Sequence, residues 1–184
     1  APPPLLLRFT PTGGWVTSKR ALVGQFYAGV DTHGLLGKQN LYEHSVRVPF
    51  ILNGPGVPAG RRVNDDIYAY RLAATLAELA GAQAPADAAP SLVPLLDDTE
   101  DRAPSPHFTH YRDRQHAVKL GSWKLVSHTD ETGAETRRQL FDLASDPHEL
   151  HDLSHEPAAA GQLSKLDALL TNWRGRSDSA AQSA

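Results

Sequence analysis

His33-Gly34-Leu35-Leu36-Gly37-Lys38-Gln39-Asn40-Leu41-Tyr42-Glu43-His44-Ser45-Val46-Arg47-Val48-Pro49-Phe50 is the densest run of chemistry-bearing residues in the chain. By residue type it is a glycine-flanked loop holding a lysine, followed by a short polar stretch and then an apolar one. A lysine beside glycines can approach an anion closely, because the backbone is unobstructed and the ammonium is a compact point charge. The plain alternative is a solvated lysine in a turn. The continuation Val46-Arg47-Val48-Pro49-Phe50-Ile51-Leu52 closes on Asn53-Gly54-Pro55-Gly56, which predicts a buried strand ending in a tight turn. A strand apolar on both faces needs cover on both. Residues 67–80 offer one cover as a helix: Leu72, Leu76 and Leu79 fall at helical spacing, and Gly81 stands where a helix C-terminus favours positive φ. Strand plus helix predicts an α/β layer.

On the N-terminal side, residues 1–18 mix Pro, Gly and Thr with scattered large apolar residues. No period holds across them, so they read as an irregular arm. A short helix is expected over 18–30, with Ser18 as its cap and Leu22, Val23, Phe26 and Tyr27 at helical spacing. On the C-terminal side, residues 82–106 are rich in Pro, Ala and Asp and read as a connection, broken by an apolar stretch from Leu92 to Leu96. Residues 115–128 then alternate, with Gly121-Ser122 as a turn, and residues 138–143 repeat the strand pattern after the polar tip Asp130-Glu131-Thr132-Gly133. This predicts a small antiparallel sheet. Residues 157–173 predict an amphipathic helix that starts at Pro157, with Leu163, Leu166, Leu170 and Trp173 on the face that packs on that sheet and on the strand of Trp123. The expected organisation is an arm and short helix over 1–30, an α/β core portion over 31–96, and an antiparallel-sheet subdomain with a terminal helix over 97–184.

The 184 residues are 40% hydrophobic and 21% charged, with a formal net charge of -3. That is a globular composition with no field that would recruit nucleic acid or acidic lipid by charge. The longest early apolar run, Leu5-Leu6-Leu7, is too short for a membrane span. Cysteine is absent, which excludes disulfides, thiolate metal sites and a cysteine nucleophile within this sequence. Methionine is absent too, and the chain opens on Ala1-Pro2-Pro3-Pro4, as a fragment or a processed product would.

Several segments together resemble the sulfatases of the alkaline-phosphatase superfamily. Residues 30–49 follow the family's Gly-x-His-Gly-Leu-x-Gly-Lys-Gln-x-Leu-Tyr-Glu-x-Ser-x-Arg-Val-Pro run, and residues 53–60 continue it as Asn-Gly-Pro-Gly-Val-Pro-Ala-Gly. Residues 67–81 resemble the family's Asp-Leu-x-Pro-Thr helix, with Arg71 and Ala74 in place of Asp and Pro. Residues 118–126 are similar to its Val-Arg-x-x-x-Trp-Lys-Leu segment, and residues 139–153 to Leu-Phe-Asp-Leu-x-x-Asp-Pro-x-Glu-x-x-Asp-Leu. Several motifs in the right order specify more than any one alone. The resemblance implies an α/β fragment of the sulfatase core with a C-terminal four-stranded antiparallel subdomain.

It further implies sulfuric ester hydrolysis on a sulfated small molecule or glycan, in a periplasmic or secreted setting, with neither nucleic acid nor membrane as a partner. Lys38 corresponds to the family's sulfate-binding lysine; a fixed cation there would stabilise charge gathering on the ester oxygens. His33 is a candidate leaving-group or substrate contact, with a turn histidine bonded to backbone as the equal alternative. Tyr42 and Arg47 read as anchors of the loop to the following strand, and Glu43 and His44 as a local pair.

Two family features are missing from the sequence. The Cys/Ser-x-Pro/Ala-x-Arg motif that yields the formylglycine nucleophile does not occur, and the acidic pair expected to help hold calcium just before the lysine loop is replaced by a direct run from 26–30 into Asp31. A lone Asp31 cannot supply the several oxygens calcium takes. The resemblance therefore implies an internal deletion and a chain inactive on its own. A phosphodiester or phosphonate monoester hydrolase of the same superfamily, and a noncatalytic module that binds sulfated ligands, are the alternatives.

Overall fold

The alternating pattern over 115–143 becomes a four-stranded antiparallel meander in the structure, a computed structural model that describes residues 6–9, 15–18, 40–48, 50–60, 62–97 and 103–182. In chain order its elements are β1 (Leu6–Phe9), β2 (Trp15–Ser18), α1 (Glu43–Val46), α2 (Leu72–Leu79), α3 (Val93–Asp97), β3 (His107–Tyr111), β4 (Gln115–Leu120), β5 (Trp123–Thr129), β6 (Glu135–Asp142) and α4 (Ala160–Gln182). Internal contacts divide the chain into two units, Ala1–Gln25 with Pro49–Ala103, and Phe26–Val48 with Pro104–Ala184.

In the second unit the strand order is β3-β4-β5-β6, each strand antiparallel to the next. Gly121, at φ +61°, opens the turn between β4 and β5, a conformation in which a Cβ is penalised. Asp130 holds the β5–β6 tip by accepting hydrogen bonds from the Thr132 amide and hydroxyl and the Ala134 amide at 2.8, 2.6 and 3.1 Å, the local side-chain closure that makes Asp a turn residue. Val118, Leu125 and Leu140 lie on one face, where Leu166, Leu170 and Ala159 cover them to form a buried cluster. The helix-face spacing read from 163, 166, 170 and 173 is thereby borne out. Trp123 and Trp173 both pack against this cluster, and the Trp173 ring stacks on Phe108 with centroids 5.2 Å apart. β3 is an element that the sequence pattern did not mark: His107-Phe108-Thr109-His110-Tyr111 puts a histidine on each face, which weakens its apolar period.

In the first unit a 3-10 turn, Ala69–Arg71, leads into α2, which ends before Gly81 at φ +66° as expected. Thr75, fully buried, donates to the Arg71 carbonyl and accepts the Leu92 amide, both at 2.8 Å. Arg71 reads from sequence as an unfavourable cation at a helix start. Its guanidinium in fact donates to the Pro90 and Ser91 carbonyls, each at 2.7 Å, tying the helix to the segment before α3. Residues 6–9 and 15–18, within the expected irregular arm, pair as an antiparallel hairpin. Gly13-Gly14 between two short apolar runs is the signal for it. The helix expected over 18–30 falls, beyond Ser18, outside the described residues.

The strand expected over 46–52 does not form. Residues 43–46 make one helical turn instead, and Val48 and Ile51 are 53% and 70% exposed. A strand needs neighbours for its N–H and C=O groups, and among the described residues no strand pairs with 47–52. Pro49 would also withhold a ladder donor.

Leu166, fully buried under the sheet, sets the measurable cost of undocking α4. Leu166→Ala should lower unfolding free energy by about 3 kcal/mol, read as a shift in denaturation midpoint. Trp173→Ala should cost less, since part of that ring meets solvent.

Candidate functional site

The loop residues His33 and Lys38 lie outside the described residues; description resumes at Asn40, two residues on. Asn40 is buried, and its side-chain oxygen accepts the Tyr42 amide at 3.1 Å. Leu41 and Tyr42 are buried against Ala117, Val126 and Phe141, the sheet face opposite α4. The Tyr42 ring meets Phe141 edge-on at 6.0 Å and stacks on His44 at 5.8 Å. Its hydroxyl donates to Gln139 Oε1 at 2.8 Å. Burial pushes the Tyr42 phenol above its usual range, so it stays a donor. Tyr42 is therefore an anchor, as expected, but to the C-terminal sheet rather than to a following strand.

The expected local pairing of Glu43 with His44 gives way to a longer-range one. Lys119 and Lys124 stand directly opposite each other in the β4–β5 ladder, where like charges repel. Glu43 enters between them: Oε1 lies 2.8 Å from Lys124 Nζ and Oε2 3.6 Å from Lys119 Nζ. Glu149, from the turn after β6, adds Oε1 at 2.9 Å from Lys124 Nζ, while its Oε2 accepts the Glu43 amide at 2.6 Å. Lys124 and Glu149 are each only 2% exposed. Two cations and two carboxylates thus balance in a buried cluster, the condition under which buried charge is tolerated.

The carboxyls are pushed apart in acidity. Burial raises Glu149, and the nearby Glu43 charge adds to that, outweighing Lys124. Burial acts upward on Glu43 as well, but Lys124 and Lys119 outweigh it and hold Glu43 low. Glu149 also has φ +57°, an uncommon backbone for a non-glycine residue that costs of order 1 kcal/mol or more. Its two contacts compensate for that strain.

Glu43 belongs to the Leu-Tyr-Glu run, Lys124 to Trp-Lys-Leu and Glu149 to Asp-Pro-x-Glu, three segments 106 residues apart at the extremes. Sequence reasoning did not join them. The available signal was a charged residue beside apolar ones in Leu-Tyr-Glu and Trp-Lys-Leu; Glu149, among the polar residues of Asp-Pro-His-Glu, gave none. Among the described residues no group of three or more His, Cys, Asp or Glu is placed to hold a metal ion. Among them, too, no helix is long and apolar enough to cross a membrane.

Comparison with known proteins places these segments in one lineage. The family model for N-sulphoglucosamine sulphohydrolase, C-terminal, matches residues 31–176. A sulfatase of Formosa agariphila is 29% identical over 138 residues, covering 74% of this chain and 26% of that protein. Human arylsulfatase K is 30% identical over 135 residues, covering 66% of this chain and 25% of its own. The solved structure of a 2-O GAG sulfatase superposes with a TM-score of 0.56 at 26% identity, covering 79% of this chain and 33% of that one. The chain spans about a quarter of the length of these curated relatives.

The two carboxylates of the cluster should respond differently to neutralisation. Glu43 has a depressed pKa, so its stabilisation is present above the ordinary glutamate value, about 4.3, and is lost as pH falls through the depressed one. Glu149 has a raised pKa, so its contribution is full below the ordinary value and is lost as pH rises through the raised one. Glu149→Gln removes that neutral-pH cost and leaves Lys124 to Glu43. Its stability at pH 7 should change by less than about 1 kcal/mol, with a larger drop between pH 7 and pH 4 than wild type. Glu43→Gln should lose about 2 kcal/mol at pH 7, as for a charged hydrogen bond broken in a buried site. Urea unfolding at the two pH values reads both.

Proposed function

This chain belongs to the sulfatases, through the family described as N-sulphoglucosamine sulphohydrolase, C-terminal, and on that premise we propose that it supplies the sulfate-binding lysine segment of a sulfuric ester hydrolase. Lys38 is the residue that carries the reading. It sits in a Gly-Lys-Gln run within the matched residues 31–176, five positions before the glutamate that the buried cluster holds. A compact ammonium on a glycine-flanked backbone can meet the oxygens of a sulfate ester as they gain charge. His33 is a secondary contact to the leaving group or sugar. As sequence organisation we propose a core portion over 31–96 and a sheet subdomain over 97–184, with Leu41, Tyr42 and Val46 of the former packed on the sheet of the latter.

The substrate class we assign is a sulfated glycan. Support comes from the family description and from the likeness to a 2-O GAG sulfatase. A net charge of -3 makes nucleic acid an unsuitable competitor. The setting that fits is periplasmic or extracellular. The 184 residues by themselves contribute binding rather than turnover, because the formylglycine motif is not among them; calcium is the metal that the family's chemistry would bring.

A lone lysine attracts a sulfate in water with only about 1 kcal/mol at contact, so binding by this chain should be weak and salt-sensitive. In an NMR titration with inorganic sulfate at low ionic strength, the amides of 37–39 should shift, Lys38→Ala should abolish the shift, and Lys38→Arg should restore it only in part, since the guanidinium fork differs in shape and reach. Shifts confined to Arg61-Arg62 would place the anion site elsewhere.

A further inference from the structure

We propose that the cavity beside the outer edge of β6 is a further binding site, one that takes a single sulfated sugar unit independently of the lysine loop. The choice of ligand rests on the assignment of a sulfated glycan as substrate class.

The cavity measures about 440 Å³ and is lined by Thr136, Arg137, Arg138, Asp152, Ser154 and His155. Small-molecule sites run from about 300 to 1,000 Å³, so one sugar ring with its sulfate has room. Every lining residue is polar, which suits a sugar and not an apolar ligand. The fold explains why polar groups collect here. β6 ends the sheet order, so one of its edges has no strand beside it. Leu140 turns its amide toward that edge, to Asp152 Oδ1 at 3.1 Å, and its carbonyl to the Leu153 amide at 2.8 Å. Arg138 and Thr136, at alternate positions before it, turn their peptide groups the same way. An edge of this kind offers donors and acceptors in a row.

Three side chains at the cavity wall have bonding capacity to spare. Arg138 is held by Glu135 at 2.9 Å and Asp167 at 3.1 Å, but among the described residues no carboxylate pairs with Arg137. An exposed guanidinium can meet two sulfate oxygens at once. His155, also exposed, has no hydrogen-bond partner among the described residues either. The Ser154 hydroxyl is buried, again with no partner among them, a state that costs free energy until some group meets it. Asp152 gives Oδ1 to the Leu140 and Ser154 amides at 3.1 and 2.9 Å, which leaves Oδ2 to accept a sugar hydroxyl. Its charge opposes a bare anion. The sulfate therefore approaches by Arg137 and His155 while the ring hydroxyls face Asp152 and Ser154, and neither inorganic sulfate nor an uncharged sugar uses both halves.

The experiment is an NMR titration of the full chain at low ionic strength with glucose 6-sulfate, and separately with glucose and with inorganic sulfate. The amides of 136–138 and 153–155 should respond to glucose 6-sulfate with an affinity roughly fivefold or more above that for inorganic sulfate, and glucose should leave them unmoved. Arg137→Ala should weaken the response roughly tenfold, as for a lost charge-assisted pair, and Ser154→Ala roughly threefold. Arg112→Ala, which removes another exposed cation of the same unit, should leave it within about twofold of wild type. The sheet amides of Val118, Leu125 and Leu140 report folding in the same spectra. No response of 136–138 and 153–155 to glucose 6-sulfate overturns the proposal. So does an equal response to inorganic sulfate, or an affinity unchanged in Arg137→Ala. The amides of 37–39 test the lysine reading in the same titration: their silence while 136–138 and 153–155 shift counts against that reading alone, and the reverse pattern counts against this site alone.

Discussion

A lysine ammonium buried to 2% exposure in a β-sheet is tenable only while carboxylates reach it, and the rest of this unit is arranged around that requirement. Neither carboxylate is local. Glu43 comes from 81 positions upstream, and Glu149 comes from the turn that follows β6. The sheet's second face therefore remains incomplete until a distant segment lies on it. The cost of burying Lys124 without partners amounts to several kcal/mol, so the segment after the lysine loop cannot leave cheaply. Tyr42 and Leu41 add apolar area, and the Tyr42 hydroxyl finds Gln139, but the charges decide where the segment stops.

The two faces of the meander do different jobs. On one, Val118, Leu125 and Leu140 meet Leu166 and Leu170 of α4 in an all-apolar contact, which makes stability without specifying much beyond approach. On the other, charge, hydrogen bonds and one strained residue fix a register. A single sheet thus separates the interactions that hold the unit together from those that fix the register of a distant segment.

Much of this was legible in the sequence. Periods of 2 and 3.6 carried β4, β5, β6, α2 and α4, because each has one apolar face and a turn residue at its end: Gly121, Asp130, Gly81. β3 was not legible, since its alternation is filled by His107, Thr109 and Tyr111 against Phe108 and His110. The run from Val46 to Leu52 misled for the opposite reason: its residues are apolar enough for a buried strand, yet a strand is a property of its neighbours. The ordered motifs led to the family and to Lys38. The ion cluster escaped because single-sequence reading treats a lone Glu or Lys as solvated. Only the fold brings residues 43, 124 and 149 together.

That separation along the chain has a consequence during biosynthesis. A ribosome adding roughly 5–20 residues per second makes Glu43 some 5 to 20 seconds before Glu149, given the 106 positions between them. Through that interval the lysine segment has been made but its dock has not, while β3 to β6, whose pairings are local, close as soon as they emerge. Residues 40–46 therefore take their place only after the sheet and Glu149 have been made, and a nascent-chain chaperone would meet them before their own dock does.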